Sequence, residues 1–247
     1  MVSQTLVEAP PRRPRVSAFR SVATFVENDR LGIVESVQFI AEACTFPVAA
    51  IGLCYDEEVR ENKDSVGIDV LDAISAPFAI YGGVACWMEG TPTDYARRAR
   101  EILAQGQDRY LEKVVADWAA GGTALTAGAT ITEVIANLEQ HMDLNYPGQG
   151  VILMSRGDAV LAAAEDAIMW GLDGPTTING TPVVASGWID RGDFSAVGSI
   201  TVVSSSLTQI DTINQETNTE WAVAEQVHTI LVDCEYRATA ELEEVTP

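Results

Sequence analysis

Two Arg-Gly-Asp triplets, Arg156–Asp158 and Arg191–Asp193, are the most chemically suggestive short motifs in this chain. The first follows a glycine-flanked apolar run, "GQGVILMS", which raises two chemistries: a phosphate cradle of backbone N–H groups, or an adhesion tag. A phosphate loop needs G-x-x-x-x-G-K-[ST], and no lysine follows here. Ser155 and Asp158 instead stand three apart, the spacing of an S-x-x-D capping box. The aspartate is therefore read as capping a predicted helix over Ala159–Trp170. The second triplet lies between two strand-like runs, where Asp190 to Asp193 suits a turn. Adhesion is set aside for both, because the N-terminus carries no apolar signal-peptide core.

The remaining reactive side chains do not assemble. The chain has two histidines, His141 and His228. His228, Asp233 and Cys234 invite a nucleophilic triad, but the segment "HTILVDCEYRATAEL" alternates as one long strand. On such a strand Asp233 and Cys234 face opposite ways, and His228 lies about 20 Å from Cys234. That is beyond hydrogen-bond activation. The acids Asp56, Glu57, Glu58, Glu61 and Asp64 lack the alternating ligands and central glycine of a calcium loop, so a solvated acidic loop is expected. Cys44, Cys54, Cys86 and Cys234 show no C-x-x-C pair and sit among apolar or strand-like residues; they are read as buried free thiols in a reducing cytoplasm. Asn179–Thr181 matches a glycosylation sequon, expected to be inert without secretion. No catalytic, cofactor-binding or metal-binding residue emerges, which favours an assembly or binding role over an enzyme.

Bulk properties agree. At 247 residues and a formal net charge of -21, the chain can build a substantial core but repels phosphate. A dedicated nucleic-acid reader is a poor fit. The charge is uneven: before residue 31, Arg12, Arg13, Arg15, Arg20 and Arg30 outnumber Glu8, Glu27 and Asp29. A basic end on an acidic body points to a chain end with its own partner. The longest apolar stretch, Phe46–Cys54, is too short for a membrane span.

The elements that must position these residues follow from local patterning. Residues 1–30 read as an extended arm, with "APPRRPR" lacking any apolar period. Residues 31–90 hold a short helix and strands. A polar loop at about 55–75 projects between strand-like Val48–Cys54 and Phe78–Met88. Loops of that length usually contact something. A long helix follows in 91–124. Thr91 and Asp94 form its capping box, and Ala99, Ile102, Leu103, Tyr110, Leu111, Val114, Val115 and Trp118 its apolar stripe. Residues 125–190 hold a helix capped by Thr130 and Glu133, the strand Val151–Met154 and the helix after Ser155. Asn179-Gly180 marks a tight turn. The last part, 191–247, is strand-rich, with Ser199–Ser204, Trp221–Val227 and the long closing strand following Val183–Ile189.

This order of parts resembles the major capsid protein of tailed bacteriophages, the Hong Kong 97-like fold that encapsulin shells share. "PFAIYGGVACWMEGTPTDYARRAREILAQGQDRYLEKVVADW" is similar to the loop-return strand and spine helix. "TITEVIANLEQHMDLNYPGQGVILMSRGDAVLAAA" resembles the helix, strand and helix of the axial domain. "TPVVASGWI" resembles the strand that often follows, and "AVAEQVHTILVDCEYRATAEL" the peripheral-domain strand. The resemblance runs from about Leu31 onward and rests on element order.

It implies an α+β fold with arm, extended loop, spine helix, peripheral domain and axial domain. It also implies a structural protein whose copies form pentamers and hexamers of an icosahedral shell around double-stranded DNA, in a virion assembled in the bacterial cytoplasm. Arm and loop would reach neighbours through Arg12, Arg13, Arg15, Asp56, Glu57, Glu58, Arg60 and Lys63. DNA would be touched weakly and without sequence preference. Scaffolding, portal or decoration proteins are further possible partners; no cofactor and no membrane are implied. Some members cross-link a loop lysine to a neighbour's asparagine, and Lys63 with Asn214 or Asn218 would be the counterparts here. Others carry a cleaved N-terminal scaffold segment, which this chain is not expected to have. An encapsulin-type compartment, a tail or connector protein, and an enzyme of unknown class stay open as alternatives.

Overall fold

A computed structural model describes residues 19–34, 36–40, 44, 72–87, 94–172, 174–214, 216 and 219–243. The chain begins with α1 (Phe19–Val22), β1 (Thr24–Glu27) and a 3-10 turn, then β2 (Val37–Ile40), β3 (Asp72–Ser75) and β4 (Phe78–Trp87). The middle holds α2 (Tyr95–Ala119), β5 (Thr123–Ala124), α3 (Ile131–Asn145), β6 (Val151–Ser155) and α4 (Arg156–Ala164). The rest is strand: β7 (Ile168–Gly171), β8 (Gly174–Thr177), β9 (Val183–Ser186), β10 (Asp193–Val197), β11 (Ile200–Ser204), β12 (Thr208–Asn214), β13 (Thr219–Val232) and β14 (Arg237–Glu241).

The strands make two five-stranded sheets. In the first, the long β13 carries β4 on one edge, with β12 and then β11 along the other, and β1 runs parallel to β11. The second has the order β5-β14-β10-β6-β9. β6 is an interior strand of it, between β10 and β9, and every residue of VILMS is buried. Ile152 and Met154 face a core built with α3 and α4; Val151 and Leu153 face a different core built with α2. A strand covered on both faces reads as an unbroken apolar run, as here.

The helix α2 joins the two sheets. Its buried stripe of Tyr95, Ala99, Leu103, Leu111, Val115 and Ala119 packs on β4 and β13, and the same helix reaches β9, β10 and β14. Twenty-five residues at 1.5 Å each make a rod of about 37 Å. Gly82 allows its close approach to β4, because a Cβ there would lie 2.6 Å from Leu103 N and 2.8 Å from Ala99 O. Two stripe positions differ from the sequence reading: Ile102 and Tyr110 are exposed, because the sheet covers a narrower arc than the apolar pattern spans.

Helix starts follow local chemistry. Thr130 accepts a hydrogen bond from Glu133 N, and the Glu133 carboxylate accepts from Ala129 N. At α2 the cap is Asp94 itself, accepting from Arg97 N at 2.8 Å, so Asp94 takes the capping role rather than answering Thr91. Thr91 lies outside the described residues. Helix α4 ends at Ala164, well before Trp170: Asp166 turns the chain at φ 56°, and Ile168–Gly171 pairs with β8.

The closing segment is likewise not one strand. β13 stops at Val232, Cys234 and Glu235 adopt φ 57° and 47°, and β14 continues in the other sheet. The alternation holds only within β14, where Ala238 and Ala240 are buried.

Candidate assembly surfaces

The residues expected to reach neighbours, Arg12, Arg13, Arg15, Asp56, Glu57, Glu58, Arg60 and Lys63, lie outside the described residues, as do Asn218 and the strand Val48–Cys54. Asn214 ends β12, its backbone opposite Thr219. The roots of the two expected extensions are visible. Where the N-terminal region meets the body, Arg20 makes two 3.0 Å hydrogen bonds to Asp108 on α2, and its guanidinium lies 4.7 Å from the Phe25 ring centroid. The bond to Asp108 raises the arginine's pKa further, fixing its charge. The other root is an antiparallel ribbon in which Val37–Ile40 pairs with Ser75–Asp72. Chain therefore leaves and returns side by side around residues 41–71. Phe78–Trp87, expected to flank that loop, pairs with β13 in the main sheet instead.

Two apolar surfaces of the body are left uncovered by the described residues. One is the outer face of β12, β13 and β4. Val223 stands between Ile210 and Gly83, and Trp221 between Thr212 and Ala85, with Tyr81 beside them. Ile210, Trp221 and Tyr81 are exposed, while the opposite face, with Ile80, Ala222 and Ala224, is sealed by α2. The second is the β7–β8 hairpin, where Met169, Trp170, Leu172 and Ile178 are all exposed, near exposed Val160 and Leu161 of α4. Grouped large apolar side chains on a surface mark contact sites more often than singly scattered ones.

The residues weighed for catalysis have structural partners. The two Arg-Gly-Asp triplets meet each other. Asp158, 2% exposed, accepts from Ser155 Oγ at 2.7 Å and from Gly192 N at 2.9 Å, with Arg191 Nε 3.6 Å away. The second triplet forms a turn, with Gly192 at φ 91°. His228 is fully buried; its Nδ1 lies 2.8 Å from Ser204 Oγ, and Nε2 has no hydrogen-bond partner among the described residues. Burial pushes its pKa down to about 4, with the charge of Asp108 opposing, so the ring is neutral.

Cys234 is not a free thiol: it is disulfide-bonded to Cys44, 5.4 Å between Cα atoms. The free-thiol expectation fails for this pair, since a sequence separation of 190 hides their proximity from any local spacing rule. Cys54 lies outside the described residues, and Cys86 lies on β4.

Around the joint after β13, Tyr146 Oη donates to Asp233 at 2.8 Å and accepts from Ser199 N at 3.0 Å. Tyr146 stacks on Tyr236, whose hydroxyl meets His141 Nδ1 at 2.9 Å. Burial raises the Tyr146 pKa and pushes that of Tyr236 up to about 12, so neither phenol ionises near neutrality.

Two concavities lie among the described residues. One of about 300 Å³ is lined by Val114, Val115, Trp118, Phe78, Ile230 and Val232, an apolar slot beside α2. One of about 220 Å³ gathers Asp117, Asp190, Asp193 and Glu241. Burial first, then Glu241 directly opposite, raises the pKa of Asp193. Among the described residues no group of three or more His, Cys, Asp or Glu is placed to hold a metal ion. No helix among them is long and apolar enough to cross a membrane.

Comparison with solved structures places this architecture. The chain is similar to the capsid of a native GTA particle computed with C5 symmetry, at TM-score 0.64 and 11% identity, covering 98% of this chain and 95% of that one. It matches a structure from Microbacterium phage Oxtober96 at TM-score 0.62 and 13% identity, over 98% and 96%. The capsid of Ralstonia phage GP4 matches at TM-score 0.60 and 11% identity, over 100% and 96%. No family model and no curated protein matches the sequence. The chain therefore has the α+β fold of tailed-phage major capsid proteins, the Hong Kong 97-like fold that the sequence resemblance implied. Sequence reasoning missed the two exposed apolar surfaces and the disulfide. The hairpin's "IMW" was hidden inside a pattern that reads as helix.

Proposed function

We propose that this protein is a major capsid protein, a structural and non-catalytic component whose copies close into an icosahedral shell of pentamers and hexamers around double-stranded DNA. The observation that carries the reading is end-to-end similarity to capsid structures. The two uncovered apolar surfaces support it, since a monomer gains nothing by exposing them. In this reading α3, α4 and the second sheet form the axial domain, and the β7–β8 hairpin meets its copies at the capsomer centre. The first sheet and α2 form the peripheral domain. Arm and loop, with Arg12, Arg13, Arg15, Asp56, Glu57, Glu58, Arg60 and Lys63, lie on neighbours. Many weak contacts repeated around closed symmetry then make a strong shell. The net charge of -21 suits a container that does not grip its genome. Assembly takes place in the bacterial cytoplasm, with scaffolding, portal or decoration proteins as separate partners.

The full chain, expressed alone and with candidate scaffolding proteins, is examined by sizing chromatography and electron microscopy. Closed shells or rings of five and six are expected. Particles enclosing an enzyme instead of DNA would favour an encapsulin-type compartment, and tubes or single rings a tail or connector role. A monomer under every condition would overturn the shell reading.

A further inference from the structure

We propose that the Cys44–Cys234 bond is a redox-gated latch that ties the root of the projecting β2–β3 ribbon to the joint between the two sheets. It is open in a reducing compartment and closed in an oxidising one. Cys234 sits in the short link between β13 of the first sheet and β14 of the second. That link holds two successive non-glycine residues at positive φ, 57° and 47°, a backbone that persists only when its surroundings impose it. Cys44 lies four positions beyond the end of β2, in the connection between β2 and β3. One covalent bond thus connects the joint between the sheets to the β2–β3 connection. The Cα–Cα separation of 5.4 Å is the ordinary bridging distance, and both residues are half-buried, within reach of small solutes.

The joint does not depend on the bond for its shape. Asp233 N donates to Ser199 O at 2.9 Å, Tyr146 holds the Asp233 carboxylate, and Tyr236 stacks on Tyr146. With the thiols open, these contacts keep the kink. What is lost is the tie to Cys44, and with it the restraint on the ribbon. Among the described residues the ribbon's two strands pair only with each other, and β3 touches β13. Closure is thiol–disulfide exchange. One cysteine thiolate attacks a low-molecular-weight disulfide and expels one small thiol. The second cysteine attacks the mixed disulfide and expels the other. The two protein thiols are oxidised as one small disulfide is reduced to two thiols. In the shell reading, copies would assemble with a pliant ribbon and be locked on release from the cell; the latch itself rests on the geometry alone.

The test uses the full chain, unassembled, with thiols reduced anaerobically and then treated with oxidised glutathione. Peptide mapping is expected to recover Cys44 joined to Cys234. Hydrogen exchange in peptides carrying Val37–Ile40 and Asp72–Ser75 is expected to slow by about tenfold on oxidation, with β6 and α3 unchanged. Cys44→Ser is expected to abolish the redox response while keeping the reduced-state exchange pattern. Failure to form the linked peptide, equal ribbon exchange in both states, or a redox response surviving in Cys44→Ser would each overturn the latch. None of these readouts depends on particle formation, so the shell reading stands or falls separately.

Discussion

His228 is where acid meets the core. Its ring is fully buried and its pKa is held down to about 4, below the ordinary 6.5. A depressed base binds fewer protons folded than unfolded, so its contribution is fully present above pH 6.5 and is lost as pH falls toward 4. The loss is roughly 3 kcal/mol, at about 1.4 kcal/mol per unit. Urea unfolding between pH 7 and pH 4 should show that slope in the wild type, and a flatter one in His228→Gln. An unchanged slope in the variant would place the acid sensitivity elsewhere. Asp193 behaves oppositely. Its carboxyl is raised by burial and by Glu241, so ionised Asp193 disfavours the fold at neutral pH, and that penalty is relieved as pH falls through the raised pKa. Asp193→Asn should raise Tm slightly at pH 7, and the gain should vanish in mild acid. The group is exposed, so the effect is small.

Elements here depend on how closely α2 lies on the first sheet. Gly82 leaves no room for a side chain against the α2 backbone. Gly82→Val should push the helix off β4 and lower unfolding free energy by several kcal/mol, within the range for overpacking and lost contacts. Leu111→Ala, at a fully buried stripe position, should cost about 2–5 kcal/mol. Ile102→Ala, on the same helix but exposed, should cost well under 1 kcal/mol if the stripe is as narrow as the structure has it. Comparable losses at Leu111 and Ile102 in denaturant unfolding would contradict the packing described.

For the whole molecule, the exposed hairpin separates folding from assembly. Trp170→Glu with Leu172→Glu touches side chains that pack on little in a single copy. The double variant should keep Tm within about 2 °C of wild type, because surface changes away from buried features shift stability little. It should fail to form rings or shells by electron microscopy. Normal particles from this variant would remove the hairpin from the capsomer contact.

The helix starts at Thr130 and Ser155, the turn at Asn179-Gly180 and the buried run of β6 were legible in the sequence because each is decided within a few residues. Capping boxes, turn glycines and apolar runs act locally. The order of such parts along the chain was enough to suggest the capsid fold. Other features were decided only in three dimensions. "HTILVDCEYRATAEL" alternates well enough for one strand, but its two halves pair with different sheets, and the backbone bends at Cys234 and Glu235 to serve both. "AAAEDAIMW" favours helix, yet pairing with β8 draws Ile168–Gly171 into a strand. The Cys44–Cys234 bond and the meeting of the two Arg-Gly-Asp triplets join residues far apart in sequence. Local propensity carries no information about such encounters; the packing of two sheets around one long helix creates them.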